Sequence, residues 1–135
     1  MRGAALALLL ALTGPAAAAD DGMPASLTGA RGDPVRGRAI VASRQAGLCL
    51  LCHSGPFPEE RFQGDLAPDL RDAARLTEAQ LRQRIVNPRR TRPDSIMPAY
   101  YDTEGQTRVA PAWRGKTILT AAQVEVVVAY LLTLK

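Results

Sequence analysis

The chain has 135 residues and a formal net charge of +4 at pH 7, and only 4% of its residues are aromatic. This length fits one small domain with a limited core of its own. The small net charge, without the alternation of basic and aromatic residues that single strands require, excludes a nucleic-acid binding protein.

The first nineteen residues have the features of a secretory signal peptide. Arg2 precedes an apolar run over residues 4–12, and Ala17, Ala18 and Ala19 then form a small-residue cleavage site. The apolar run is too short to span a membrane. We therefore predict a signal peptide over residues 1–19, export to the periplasm, and no membrane anchor after cleavage.

The mature chain is predicted to begin with an arm and a helix. Residues 20–32 are small, polar and rich in glycine, which indicates a flexible N-terminal arm. Asp33 and Pro34 form a helix start, with Asp33 as N-cap and Pro34 in the first turn. We expect this helix to stop at Gly47. Val35, Ala39, Ile40 and Ser43 lie on one face of this helix.

Two further helices share one start signal. Residues 77–80 read Thr-Glu-Ala-Gln and residues 120–123 read Thr-Ala-Ala-Gln, and each is a capping box. The first of these helices should end at Asn87 and bury Leu81, Ile85 and Val86. The second carries an apolar stripe of Val124, Val127, Val128, Leu131 and Leu132. The segments 54–70 and 88–116 are rich in helix breakers and predict loops. Nothing in the mature chain predicts a strand, so the expected fold class is all-α.

The segment Cys49-Leu50-Leu51-Cys52-His53 is the signature of covalent haem attachment. Two sulfurs at this spacing can form thioether bonds to haem, and His53, the only histidine, follows as an axial iron ligand. A dithiol, a disulfide or part of a zinc site are the alternatives, but zinc prefers four ligands and the chain has no further Cys or His. The motif favours one covalent haem c, which would also supply the apolar surface that the core lacks.

Met97 is the preferred candidate for the sixth position on the iron. It lies in a predicted loop, and Pro98 biases it towards an extended backbone that can present the thioether. The other candidates are Met23, a lysine, a tyrosine or water, and Met97 could instead fill a gap in the core. Ligation by His53 and Met97 leaves no open position, which suits electron transfer better than oxygen or peroxide chemistry.

These residues resemble the class I cytochromes c. Residues 32–37 are similar to the opening helix of that family, and Gly37 and Tyr130 match the crossing of its first and last helices. Residues 67–70, Ala-Pro-Asp-Leu, resemble its segment in which the proline carbonyl accepts from the haem histidine and the leucine packs on the ring; Ala67 replaces a glycine there. A narrower resemblance, to SoxX-type sulfur-oxidation cytochromes, lies in residues 87–88, 97–100, 108–111, 115–120 and 126–131.

The SoxX resemblance implies a class I cytochrome c domain over residues 33–135 and a function for it. Such a chain forms a heterodimer with a SoxA-like haem subunit, and the complex, an L-cysteine S-thiosulfotransferase, oxidatively conjugates thiosulfate to a cysteine of a sulfur-carrier protein. The SoxX-like subunit passes electrons to a downstream cytochrome. Since haem would take both cysteines, this chain would not be catalytic alone. The alternatives are a free-standing periplasmic cytochrome c shuttle and a gas-binding or peroxidatic haem protein.

Two further features keep two interpretations each. Trp113 either donates to a haem propionate or packs against the haem edge. A set of arginines either makes a functional contact, with an acidic partner or with the haem propionates, or forms a solvated helix face and loop: Arg82, Arg84, Arg89, Arg90 and Arg92.

Overall fold

The computed structural model describes residues 21–134, so the predicted signal peptide lies outside the described residues. Three α-helices carry the fold: α1 (Pro34–Ala42), α2 (Glu78–Val86) and α3 (Ala121–Leu131). Short 3₁₀ turns lie between and after them, at Cys49–Leu51, Leu70–Arg75, Pro88–Arg90, Pro111–Trp113 and Leu132–Leu134. No strand occurs in residues 21–134, which confirms the all-α class. Within the same range, no helix has the length and apolarity needed to cross a membrane.

The predicted helix starts are confirmed, since each depends on contacts within one turn. The Asp33 carboxylate accepts a hydrogen bond in the first turn of α1. The hydroxyls of Thr77 and Thr120 each accept from the backbone of the glutamine three residues later, whose side chain accepts from the threonine N–H in return. Helix α2 ends before Asn87, and it buries the three predicted apolar residues, Leu81, Ile85 and Val86.

The most deeply buried side of α1 is not the face formed by Val35, Ala39, Ile40 and Ser43. Gly37 and Val41 are the buried residues of this helix, whereas Val35 is 77% exposed and Ala39 is also exposed. The reason is the crossing with α3, where a Cβ on Gly37 would overlap the carbonyl of Val126. A pattern of apolar side chains does not reveal this face, because it packs against α3 through a glycine that has no side chain.

Helix α1 also ends earlier than the predicted stop at Gly47. Its last residue is Ala42, and the N–H of Ser43 donates to the carbonyl of Ile40. The Ser43 hydroxyl then accepts from two backbone N–H groups of the following turn. Gly47 is buried instead against the end of α1, where a Cβ would overlap the carbonyl oxygen of Ile40. This glycine therefore permits the chain to fold back closely before the motif that begins at Cys49.

Helix α3 is buried on every side. The predicted stripe is present, but its neighbours Glu125, Val126, Ala129 and Tyr130 are buried as well. Helix α1 covers the side that bears Tyr130, and residues 21–32 cover Glu125, whose Oε1 accepts from the N–H of Leu27 at 2.9 Å. The side of α3 opposite the stripe is buried because these two segments, distant in sequence, shield it from water.

The arm over residues 21–32 lies along α2 and α3. The Met23 N–H donates to the carbonyl of Ala79, and the Met23 carbonyl accepts from Nη1 of Arg82 at 2.7 Å. The amide of Gln80 donates to the carboxylate of Asp21. The flexibility of the arm stays a prediction, and its position against the two helices is a feature that composition did not indicate.

Candidate functional site

The two cysteines are brought together by a 3₁₀ turn. Residues Cys49–Leu51 form this turn, and the N–H groups of Cys52 and His53 both donate to the carbonyl of Cys49. Because a 3₁₀ helix has three residues per turn, side chains at positions i and i+3 lie above one another. The two sulfurs therefore lie on one side of the turn, and His53 follows Cys52 directly.

The turn is held from behind by the loop that precedes Leu70. Three backbone hydrogen bonds of 2.8 to 2.9 Å join this loop to the motif. The N–H of Gly64 donates to the carbonyl of Leu50, and the N–H of Ala67 donates to the carbonyl of Cys52. The N–H of Leu70 donates to the carbonyl of Ser54. The loop therefore runs alongside the motif and is hydrogen-bonded to it, although the two segments form no β-sheet. This arrangement places the carbonyl of the residue after Ala67 next to the imidazole.

That carbonyl orients His53. The Nδ1 atom of His53 lies 2.6 Å from the carbonyl oxygen of Pro68. A carbonyl can only accept, so Nδ1 carries the proton and Nε2 is left with a free lone pair. Asp69 holds the same loop through Ser54, whose hydroxyl donates to its carboxylate at 2.9 Å. Hydrogen bonds from the Arg71 side chain and backbone lower the pKa of Asp69, which stays ionised.

The motif opens into one cavity of about 770 Å³, counting the space at its mouth. The walls are almost entirely apolar and come from all three helices and the connecting loops. Cys49, Cys52, His53 and Met97 all line it, so the structure brings together the four residues predicted for the site. Aliphatic side chains complete the walls, among them Val41, Leu70, Ile85, Leu119, Val127 and Leu131.

Leu66 and Ile96 mark the mouth of the cavity. Both line it, yet they are 66% and 74% exposed. Large aliphatic side chains in this state border an apolar opening that a flat hydrophobic group would fill. The cavity is therefore closed at the back by helices and open at the edge formed by these two residues.

The electrostatics of the cavity disfavour a thiolate at Cys49. Burial raises the pKa of the Cys49 thiol to about 11. Burial also raises the pKa of the Tyr100 phenol, which lines the same cavity. The two sulfurs are not bonded to each other. An uncharged, apolar wall suits thioether sulfur, which carries neither charge nor proton.

The residues present fit a haem. The two thiols lie on one side of a single turn, His53 has a free Nε2, and Met97 belongs to the same apolar wall. The zinc interpretation is not supported, because residues 21–134 contain no group of three or more metal-ligating Cys, His, Asp or Glu side chains. Met23, the competing thioether, packs beside α2 and does not line the cavity.

The arginine set does not act as one cluster. Arg82 is 1% exposed and forms a buried ion pair with Glu125, so both interpretations given to it are wrong. Arg90 pairs with Asp102 at 2.8 Å. The remaining three have no ion-pair partner within the described chain, and docking stays a prediction for them: Arg84, Arg89 and Arg92. Trp113 is exposed and is not part of the cavity wall.

Tyr100 in the site and Glu125 in the core escaped the sequence patterns. Tyr100 is buried in the cavity wall, with its hydroxyl on the carbonyl of Gly47. Its position three residues after Met97 was the available signal. Glu125 is the one acidic residue among the valines of α3, and a lone charge in such a run indicates a buried partner, which proves to be Arg82.

Comparisons with known proteins show a strong structural relationship. No protein-family model matches the chain, and no curated protein sequence is significantly similar to it. Among solved structures, the chain is similar to one in the crystal structure of SoxXA from P. pantotrophus, with 40% sequence identity and a TM-score of 0.77. The match covers 85% of this chain and 90% of that chain.

Proposed function

This chain belongs to the SoxX-type cytochromes, and on that premise we propose that it is the electron-transferring haem subunit of a thiosulfate-oxidising complex with a SoxA-like haem protein. The class I cytochrome c fold expected from the sequence is confirmed by the same relationship. The observation that carries the proposal is the single apolar cavity, whose wall holds both cysteines, the oriented histidine and one methionine.

The cavity is proposed to hold one haem c. Cys49 and Cys52 would provide the thioether anchors, His53 the axial nitrogen and Met97 the axial sulfur. When bound, haem supplies a one-electron couple of iron, and a thioether ligand favours its reduced form. The Pro68 carbonyl oxygen, 2.6 Å from Nδ1 of His53, fixes the tautomer and the orientation of the imidazole ring.

The surroundings favour electron transfer over substrate chemistry. The apolar walls exclude water, and ligation by both His53 and Met97 would leave no open position for a substrate on the iron. The exposed side chains of Leu66 and Ile96 border the edge through which electrons would pass to a partner. Both features support a relay role.

The cysteine inventory supports a helper subunit. The full sequence contains two cysteines, Cys49 and Cys52, and both are assigned to haem attachment. The sulfur nucleophile that conjugates thiosulfate to the carrier protein must therefore come from another chain. The proposed chain takes up electrons released by that conjugation and passes them to a downstream cytochrome acceptor in the periplasm.

Expression with a SoxA-like partner in a host that exports and matures c-type cytochromes tests the proposal. The exported chain should retain haem on a denaturing gel, co-purify with the partner as a heterodimer, and become reduced on addition of thiosulfate and carrier protein. A haem-loaded chain that never binds the partner would support a free shuttle instead. Colourless protein with two free thiols would refute the haem assignment.

Met97→Ala tests the axial ligand. Loss of the thioether should lower the reduction potential by about 59 mV or more, the one-electron equivalent of a tenfold change in preference for Fe(II). It should also let the reduced protein bind carbon monoxide, which the parent should not bind at neutral pH. Met23→Ala is the matched control and should change neither property. Tight carbon monoxide binding by the parent itself would favour the gas-binding alternative.

A further inference from the structure

Tyr100 connects three parts of the cavity wall. Its side chain is 5% exposed, and its hydroxyl donates to the carbonyl of Gly47 at 2.7 Å. Its backbone N–H donates to the carbonyl of Ile85 at the end of α2, and its own carbonyl accepts from the N–H groups of Ile118 and Leu119. One residue thus ties α2, the entry to α3 and the chain just before the cysteine motif.

The hydroxyl contact links two segments with different tasks, the chain before the attachment turn and the segment after Met97. Gly47 lies two residues before Cys49, and Tyr100 lies three residues after Met97. The contact spans 53 positions in sequence and is buried. No other hydrogen bond between described side chains and backbone joins the residues around Met97 to the attachment turn.

Haem attachment would make this hydrogen bond more important. The Cys49 thiol also donates to the Gly47 carbonyl, weakly, at 3.4 Å. Formation of a thioether removes the thiol proton, so Tyr100 becomes the one side-chain donor to that carbonyl. A buried carbonyl that loses its donor is costly, which keeps the phenol in place.

We propose that Tyr100 is a positioning residue, which holds the Met97 loop against the attachment turn so that the methionine sulfur stays within bonding distance of the iron. This inference rests on the proposed function, because it assumes haem in the cavity. Its consequence concerns the strength of one bond: without the hydroxyl, the loop moves more freely and an external ligand displaces Met97 more easily.

Tyr100→Phe removes the hydroxyl and keeps the ring in the cavity wall. In the oxidised, haem-loaded variant, imidazole should replace Met97 with about tenfold higher apparent affinity. That factor corresponds to about 1.4 kcal/mol, within the range of one buried hydrogen bond. The readout is the charge-transfer band of the bond between methionine and Fe(III), followed during an imidazole titration at constant pH. The reduction potential should fall in parallel.

Two control variants separate positioning from general loosening. Tyr101→Phe removes the neighbouring phenol, whose hydroxyl makes no hydrogen bond within residues 21–134, and should leave the titration unchanged. Glu125→Gln weakens the fold at the far side of α3, away from the cavity wall. It should lower the unfolding midpoint without a tenfold change in imidazole affinity.

The outcomes separate the positioning role of Tyr100 from the assignment of the haem site. Equal imidazole affinities for the parent and Tyr100→Phe would overturn the positioning role while the haem assignment stands. An equal rise in Tyr100→Phe and Glu125→Gln would also overturn it, because the effect would then follow stability alone. A parent protein without the methionine band would contradict the Met97 ligand, and therefore the proposed site itself.

Discussion

The buried ion pair between Arg82 and Glu125 offers a sharp test of what holds this fold together. The two side chains are 1% and 3% exposed, and Nε of Arg82 lies 2.8 Å from Oε1 of Glu125. Arg82 also donates to Glu78 and to the carbonyl of Met23, and the same Oε1 accepts from the N–H of Leu27. The hydrogen bond to Glu125 raises the pKa of the Arg82 guanidinium, which remains charged. The pair therefore fastens the arm over residues 21–32 to α2 and α3.

Arg82→Met should reduce the free energy of unfolding by about 3–5 kcal/mol, the typical cost of leaving a buried charge without its partner. Methionine preserves the apolar stem, so lost packing adds little. The double variant Arg82→Met/Glu125→Leu removes the orphaned charge as well. It should be more stable than Arg82→Met by at least about 1 kcal/mol, although the N–H of Leu27 then loses its acceptor.

The assay is equilibrium denaturation of the haem-loaded protein, followed by far-ultraviolet circular dichroism. Arg31→Met is the matched control, since Arg31 pairs with Glu78 at 3.7 Å while its side chain is 78% exposed. An exposed pair contributes under about 1 kcal/mol. The reasoning fails if Arg82→Met loses no more stability than Arg31→Met, or if the second substitution destabilises the protein further.

Three further predictions address attachment, helix crossing and pH. Cys49→Ala should lower the yield of haem-loaded exported protein, measured by intact-mass spectrometry, because one thioether anchor remains; an undiminished yield would show that one anchor suffices. Gly37→Ala should cost a net of about 1–3 kcal/mol in thermal unfolding, since the new Cβ overlaps the Val126 carbonyl, and a gain in stability would mean that the helices separate freely. Hydrogen bonds from Arg71 hold the pKa of Asp69 below its ordinary value, so the carboxylate stabilises the fold above about pH 4 and this contribution is lost at lower pH. The difference in Tm between the parent and Asp69→Asn should therefore shrink as the pH falls from about 6 to about 3. A difference that stays constant would contradict the stabilising role of the Asp69 carboxylate.

The part of the site that could be predicted from local sequence is the attachment turn. Cys49, Cys52 and His53 lie within five residues, and the 3₁₀ turn follows from their spacing. Met97 and Pro68 are different, because each reaches the site across a long stretch of loop. Met97 was predicted from its thioether and its proline neighbour, and the Pro68 carbonyl from family resemblance. Tyr100 was missed because its role depends on a hydrogen bond that spans 53 positions.

Sequence alone determined where the helices begin, since N-caps such as Asp33, Thr77 and Thr120 act within a single turn. It also determined the chemistry of the haem motif, which is encoded in adjacent residues. Tertiary structure decided which faces are buried. Gly37 lies at the helix crossing because it has no side chain. Arg82 is buried because it pairs with Glu125, which is 43 positions away in sequence. The spacing of apolar residues shows neither choice, because the energy of a packed contact belongs to two segments that meet only in the fold.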